Sequence, residues 1–171
     1  DSIVGNVTQL RFGLNNRLYA RRSEGGRPAA AQEIVTVSLE QSYYTDANAA
    51  QYDRNFQTSF QGTAPSNFSP MALNARAALT TELGGTLRAE YDTDYMALRT
   101  IGADADINVG GWLNQIAGWS QRRLVKKLPG FNNPHTLDHY VNSFTNLRTR
   151  DNQLGGVYQF NYDIQLNRMM Q

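Results

Sequence analysis

His135 and His139 stand four residues apart with Asp138 beside the second. On a helix that spacing puts both imidazoles on one face, as zinc binding requires. No Glu follows His135, and the segment after Pro134 reads as a loop running into a strand, so two surface histidines are expected instead of a metal site. Asp104 with Asp106, and Glu90 with Asp92, are carboxylate pairs at i, i+2. On a strand such a pair shares a face at ~7 Å, a separation that could suit a glycosidase. Arginines of the same parity make ion pairing the simpler expectation. The glycine pairs at 25–26, 84–85, 110–111 and 155–156 lack the spacing of a phosphate-cradling loop, and no G-x-S-x-G elbow is present. They read as turn and close-approach glycines. With no cysteine in the chain, a disulfide framework, a thiolate nucleophile, a Cys-ligated zinc and an iron–sulfur cluster are all excluded. Neither an enzyme nor a cofactor is expected.

The elements that position these residues belong to a chain of 171 residues, taken as a single unit over 1–171. Sixteen basic against fifteen acidic residues give a net charge of +1, so nucleic acid is not an expected partner. Fourteen of the basic residues are Arg, and only Lys126 and Lys127 are Lys. Asn and Gln number twenty-eight. No apolar run reaches the ~18 residues of a membrane helix, and the first residues carry no basic-then-apolar signal region. A membrane β-barrel remains open, because its strands alternate apolar and polar residues and average to a polar composition.

Period-two alternation recurs along most of the chain, and no window shows apolar residues at helical spacing. Leu10, Phe12, Leu14 and Leu18 oppose Arg11, Asn15, Arg17 and Arg21; Val35, Val37, Leu39 and Tyr43 oppose Thr36, Ser38, Glu40 and Ser42. The pattern continues through Met71–Thr80, Leu83–Asp92 and Thr100–Val109, loosens over Trp112–Arg123 and His139–Arg150, and returns over Leu154–Asn167. This predicts an all-β, antiparallel chain of about eight strands. Many span 10 to 13 residues, longer than the ~5–6 of soluble strands and close to the ~9–11 that cross a bilayer at a tilt. Short turns at 80–85, 110–111 and 151–153 alternate with long polar linkers at 46–67 and 124–138, the arrangement of an outer-membrane barrel. The connection at 22–32 is expected to break that arrangement as a medium-long loop on the short-turn rim. The polar parity supplies candidate lumen-lining residues Arg11, Arg17, Arg21, Arg76, Arg88, Glu90, Asp104, Asp106, Gln159, Asn161 and Asp163. Tyr43, Tyr44, Tyr91, Tyr95, Trp112, Trp119, Tyr158, Phe160 and Tyr162 lie mostly near strand ends or on apolar faces, as interfacial girdles do.

The stretch Asn16-Arg17-Leu18-Tyr19-Ala20-Arg21-Arg22, followed by Glu33-Ile34-Val35-Thr36-Val37-Ser38-Leu39-Glu40-Gln41-Ser42-Tyr43-Tyr44, resembles the barrel of the lipopolysaccharide-assembly family LptD, also called organic-solvent-tolerance protein. Phe68-Ser69-Pro70, Ala89-Glu90-Tyr91-Asp92, Ala117-Gly118-Trp119-Ser120 and Leu154 through Ile164 extend the likeness in the same order, over residues 10 to 168. The resemblance implies a transmembrane antiparallel β-barrel in the bacterial outer membrane that delivers lipopolysaccharide to the outer leaflet. It also implies an LptE-like plug lipoprotein and periplasmic lipopolysaccharide-bridge components as partners, with outer-membrane lipid outside. The chain departs from the family in supplying about eight strands of a larger barrel, in having no periplasmic jelly-roll domain, and in ending at Met169-Met170-Gln171 before the strands that close the barrel. Nor can the family's lateral gate be placed on it.

Three other readings make different demands. A self-contained eight-stranded outer-membrane barrel with a structural or adhesion role requires residues 8–21 to pair with 154–167. A soluble β-sandwich or lipocalin-like lipid binder requires the apolar faces to be buried together. A β-barrel lipase or protease requires a nucleophile and its His on one strand face.

Overall fold

In a computed structural model, which describes residues 7–24, 27–53, 65–151 and 153–170, the chain is one antiparallel sheet of nine strands. In chain order these are β1 (Gln9–Glu24), β2 (Arg27–Tyr44), β3 (Met71–Ala78), β4 (Leu83–Asp92), β5 (Ala97–Val109), β6 (Leu113–Arg122), β7 (His139–Arg148), β8 (Gly155–Asp163) and β9 (Arg168–Met169). Each strand pairs with the strands before and after it in sequence, so spatial order equals chain order. No helix among the described residues is long and apolar enough to cross a membrane.

The turns follow from local chemistry. Gly110 and Gly111 both adopt positive φ, +53° and +73°, between β5 and β6, the backbone of the two-residue hairpin turn that glycine alone adopts freely. At the β3–β4 turn the Thr80 hydroxyl accepts from the backbone N–H groups of Glu82 and Leu83 at 3.1 and 2.9 Å. Asp92 Oδ1 accepts from Asp94 N and Tyr95 N at 2.8 and 2.9 Å and so folds the β4–β5 turn. At the β7–β8 turn Asp151 Oδ1 accepts from the Thr149 hydroxyl and from Gln153 N.

Two sequence expectations are corrected here. Segment 22–32 is not a medium-long loop. β1 runs to Glu24 and β2 starts at Arg27, so the hairpin is tight, with Gly25 and Gly26 outside the described residues. It looks loop-like in sequence because β3 reaches only as far as Val35 opposite Ala77. Beyond that point the β1–β2 hairpin has no pairing with β3. The last strand does not continue to Asn167. β8 ends at Asp163, whose Oδ1 accepts from Leu166 N at 2.9 Å, and Asn167 takes φ +51°, the left-handed conformation Asn tolerates best after Gly. The chain therefore turns back into a ninth strand, and Ile164 and Leu166 are turn residues. β8 pairs with β7 and β9, so the pairing of residues 8–21 with 154–167 demanded by a self-contained eight-stranded barrel does not occur among the described residues. The short turns and the two long linkers expected from sequence fall on opposite rims, but the four-residue β4–β5 and β8–β9 turns share the rim of the long linkers. The turns after β1, β3, β5 and β7 share one rim, and the long segments 45–70 and 123–138 lie on the other.

Register fixes two unlike faces. Leu14 lies opposite Leu39, Leu39 opposite Leu73, Leu73 opposite Ala89 and Ala89 opposite Ile101, so apolar side chains continue from strand to strand. That face is largely uncovered: Leu10, Leu14 and Leu18 are 60%, 63% and 58% exposed. The burial of one apolar face against another required by a soluble sandwich is absent among the described residues. All the buried hydrophobic side chains described lie at the long-loop rim: Tyr44 with Ala50, and Val125, Leu128, Phe131 and Leu137 with Ala97 packed against them.

The two donors to Asp151 hold its carboxyl below the usual aspartate value of 3.8. A depressed folded-state pKa stabilises the turn at pH values above the unfolded value, and that stabilisation is lost as pH falls through the folded value. The Gln153 amide resonance is therefore expected to titrate with a midpoint below 3.8 and to stop titrating in Asp151→Ala. A midpoint at or above the usual value contradicts the geometry.

Candidate functional site

The polar parity lies on the concave side of the sheet. Asn74 of β3, Arg88 and Glu90 of β4, Thr100 and Asp104 of β5, Ser120 and Arg122 of β6, and Tyr140 and Asn142 of β7 surround one cavity of about 610 Å³. These positions are cross-strand neighbours: Asn74 lies opposite Arg88, Glu90 opposite Thr100, Asp104 opposite Gly118, and Gly118 opposite Asn142. A sheet whose alternate residues from five strands line one hollow must curl toward that face. Glycine makes room for the carboxylates. A Cβ on Gly118 would lie 2.5 Å from Asn142 Oδ1 and 2.6 Å from Asp104 Oδ1, and one on Gly84 would lie 2.7 Å from Asp106 Oδ1. Asp104 Oδ2 accepts from the Thr86 hydroxyl at 3.1 Å and sits 3.8 Å from Arg88 Nη2. Asp104 and Asp106 thus each lie over a glycine of a different neighbouring strand, β6 for the first and β4 for the second.

At the long-loop rim a buried ion pair anchors a cap. The register slips between Glu90 and Tyr91, so that Tyr91 faces Leu98 and Glu90 faces Thr100. Arg99 is the extra residue of this bulge, a device that re-aims a side chain. Its Nε donates to Asp92 Oδ2 at 2.6 Å and its Nη2 pairs with the same oxygen, both side chains being 4% exposed. The guanidinium groups of Arg122 and Arg99 lie 4.4 and 5.7 Å from the centre of the Phe131 ring, so the loop carrying Phe131 is drawn over the polar side of the sheet. Backbone hydrogen bonds from Val125 N to Phe131 O, Leu128 N to Val125 O and Phe131 N to Leu128 O, at 2.9 to 3.0 Å, close it into a compact knot. A second tuck lies at the β1–β2 end. Asp53 accepts from Gln9 Nε2 at 2.9 Å and from the Tyr44 hydroxyl, and lies 3.8 Å from Arg11 Nη2. Tyr44 is therefore buried over the polar face and takes no part in a girdle.

Of the eleven polar candidates, the cavity gathers Arg88, Glu90 and Asp104. Arg76 sits between Thr36 and Thr86, and Asp106 opposite Gly84. Arg11 belongs to the Asp53 tuck. Arg17 pairs with Glu33 at 3.7 Å, and Arg21, opposite Ala31, lies on the protruding hairpin. Gln159, Asn161 and Asp163 line up on β8 opposite Phe144, Asn142 and Tyr140, so they share the face without reaching the cavity. Arg122, Tyr140 and Asn142 were missed because β6 and β7 break the alternation: Ile116 and Phe144 fall on the polar face, and Gln115, Gln121, Ser143 and Thr145 on the apolar one. The signal available was the register itself, since Asn142 follows once Gly118 is set opposite Asp104. His135 sits in a short 3-10 turn. His139 Nε2 accepts from Trp119 Nε1 at 3.0 Å, and no three candidate ligands cluster among the described residues.

The apolar face ends in an aromatic belt. Tyr43, Tyr91 and Tyr162 are each the penultimate residue of β2, β4 and β8, all at the long-loop rim. Phe68 packs on Tyr43 at 5.1 Å between ring centres, and Trp119 and Tyr162 flank Val141. The chain matches no protein-family model and no curated protein.

The two ion pairs differ in worth. Asp92→Ala breaks a buried ion pair, which costs about 3–5 kcal/mol, whereas Arg88→Ala removes an exposed pair worth at most about 1 kcal/mol. Denaturant titration of the two variants is expected to show that order, and equal effects would remove the Asp92–Arg99 pair as the anchor of the cap.

Proposed function

We propose that this chain is a segment of an outer-membrane β-barrel of the LptD kind, whose apolar face meets lipid and whose charged concave face borders a hydrated lumen. The observation that carries the reading is inversion of the usual soluble pattern: apolar residues on the uncovered outer face, charged residues on the inner one. Along β2 the outward parity runs Val35, Val37, Leu39, Gln41 and Tyr43, about 27 Å at ~3.4 Å per residue, comparable with the ~25 Å apolar band of such barrels; its one polar member, Gln41, is buried and donates to Ser69 O and the Thr93 hydroxyl. The aromatic belt supplies one interfacial girdle, and the split between short turns and long loops matches the periplasmic and extracellular rims. Open edges cannot persist in lipid, since unpaired backbone groups there cost several kcal/mol each. β1 and β9 therefore pair with further strands.

Within this reading the role is export and not catalysis. Lipopolysaccharide is the cargo, moved to the outer leaflet with an LptE-like lipoprotein inside the barrel and periplasmic bridge components delivering it. The ordered likeness to LptD from Asn16 to Ile164 supports that assignment, and Arg76 and Arg88 offer the planar fork that suits phosphate.

The membrane placement is tested by Leu87→Arg. A position 38% exposed in water tolerates a surface substitution within about 0.5 kcal/mol, but in lipid near the midplane the same change costs about 2–4 kcal/mol. Unfolding of the full-length protein from bilayers is expected to give the larger value, together with heat-modifiable gel mobility. A change under about 0.5 kcal/mol would place this face in water. The export role is tested separately by depleting the full-length protein in cells: lipopolysaccharide reached by a membrane-impermeant label is expected to fall, and an unchanged surface level disposes of export while leaving the barrel intact.

A further inference from the structure

The β1–β2 hairpin joins strands of 16 and 18 residues, but only part of β2 has a neighbour on each side. β3 pairs with β2 from Glu40 to Val35. From Glu33 back to Pro28 the ladder partner of β2 is β1 alone, and no other backbone hydrogen bond reaches these residues among the described ones. In an antiparallel strand, N–H and C=O groups point alternately to the two sides. The stretch therefore leaves a row of them unpaired over about 20 Å at ~3.4 Å per residue. Pro28 has no N–H to offer and marks the far end of that row.

The row is held in place. Between the pairs Leu18 with Val35 and Tyr19 with Glu33 the register skips Ile34, a bulge that turns Glu33 to the polar side. There its carboxylate accepts from the Tyr19 hydroxyl at 3.4 Å and from the Thr36 hydroxyl, and lies 3.7 Å from Arg17 Nη1. Native edges are commonly blocked by lysines or inward-pointing charges. Here Ala29, Ala30 and Ala31 follow Pro28, and Ala30, Ala31 and Gln32 are exposed, so neither bulk nor charge keeps a further strand from the middle of the row.

Charge indicates what kind of strand fits. Arg21 shares the polar side with Arg17 and lies opposite Ala31. Arg76 lies opposite Thr36, two residues before β3 ends. Both arginines are exposed, and neither has a carboxylate within ion-pair distance among the described residues. A strand added in line with β3 brings its polar-side residues within reach of both guanidinium groups, because the intervening Ala31 is small. Glu33 is already engaged by Arg17 and two hydroxyls.

We infer that the β2 edge from Pro28 to Glu33 is a strand-addition site for an extended acidic segment of a partner protein, which continues the sheet in the place that β3 leaves open. Main-chain hydrogen bonds supply the affinity, and the arginines choose the partner. The site goes beyond the export reading and does not depend on it, since it lies at the short-turn rim, past the apolar parity of β2 that begins at Val35.

The test uses the full-length protein in detergent micelles at low ionic strength with capped hexapeptides: (Val-Glu)3, (Val-Lys)3, and two forms of (Val-Glu)3 methylated at the backbone nitrogens of either its valines or its glutamates. (Val-Glu)3 is expected to bind and to slow amide exchange at alternate residues between Ala29 and Glu33, with (Val-Lys)3 about tenfold weaker. One methylated form is expected to lose binding and the other to keep it, because only one set of amides faces the edge. Arg21→Glu/Arg76→Glu is expected to reverse the charge preference, and Arg148→Glu, on another hairpin of the same rim, to leave it unchanged. Wild-type amide exchange over β4 to β6 reports folding of each variant. Binding without slowed exchange at the edge, or equal binding of both methylated forms, overturns strand addition. Equal binding of (Val-Lys)3, or a folded double variant that keeps the wild-type preference, overturns the acidic partner. Absence of binding by every peptide overturns the site.

Discussion

The antiparallel hydrogen-bond ladder is the interaction on which the rest of this structure depends. In most domains two layers bury apolar surface between them, and that burial supplies the main driving force. Here one layer carries the chain, and the described hydrophobic side chains that are buried sit in two small clusters at one rim. Backbone pairing between consecutive strands therefore has to hold the sheet together, and the environment of its apolar face decides whether it is stable. In water that face is a liability, as a large contiguous apolar patch always is. In hydrocarbon it is the ordinary solvent-facing surface, and the ladder grows stronger because water no longer competes for the backbone.

The two rims are built for different tasks. Short-turn ends are closed by local devices that cost little sequence: two glycines at 110–111 and the hydroxyls of Thr80 and Thr149. Long-loop ends are held by side chains recruited from several strands, with Asp53 collecting Gln9, Tyr44 and Arg11, and Asp92 collecting Arg99. Phe131 then lies over Arg122 and draws segment 123–138 across the concave side. The bulge at Arg99 links these features. Without the extra residue, strict alternation would put that guanidinium on the apolar face, where it would have neither Asp92 nor the ring.

Much of the fold could be read from alternation. In β1 to β5 the apolar faces are nearly intact, with Asn16 and Gln41 as polar interruptions, so strand existence, facing and order all followed from period two. The reading failed where alternation loses its cause. Residues 22–32 lie beyond the reach of β3, and they look like loop in sequence although 22–24 and 27–32 are strand. Residues 164–167 look like strand because their parity fits, although the Asp163 carboxylate and the left-handed backbone of Asn167 turn the chain there. The polar face was legible as a face, but the cavity was not, because its membership depends on which residues of β6 and β7 come opposite Asp104.

By itself the sequence determined an all-β antiparallel chain with one apolar and one charged face, and the absence of thiol chemistry, because period two and composition are local properties. Tertiary structure alone decided that the charged face is the concave one, that Arg99 and Arg122 share Phe131, that Gly84 and Gly118 lie beneath Asp106 and Asp104, and that the chain turns into a ninth strand. These depend on register, where a one-residue slip reverses every facing, and on contacts between residues far apart in the chain, which no single-strand pattern encodes.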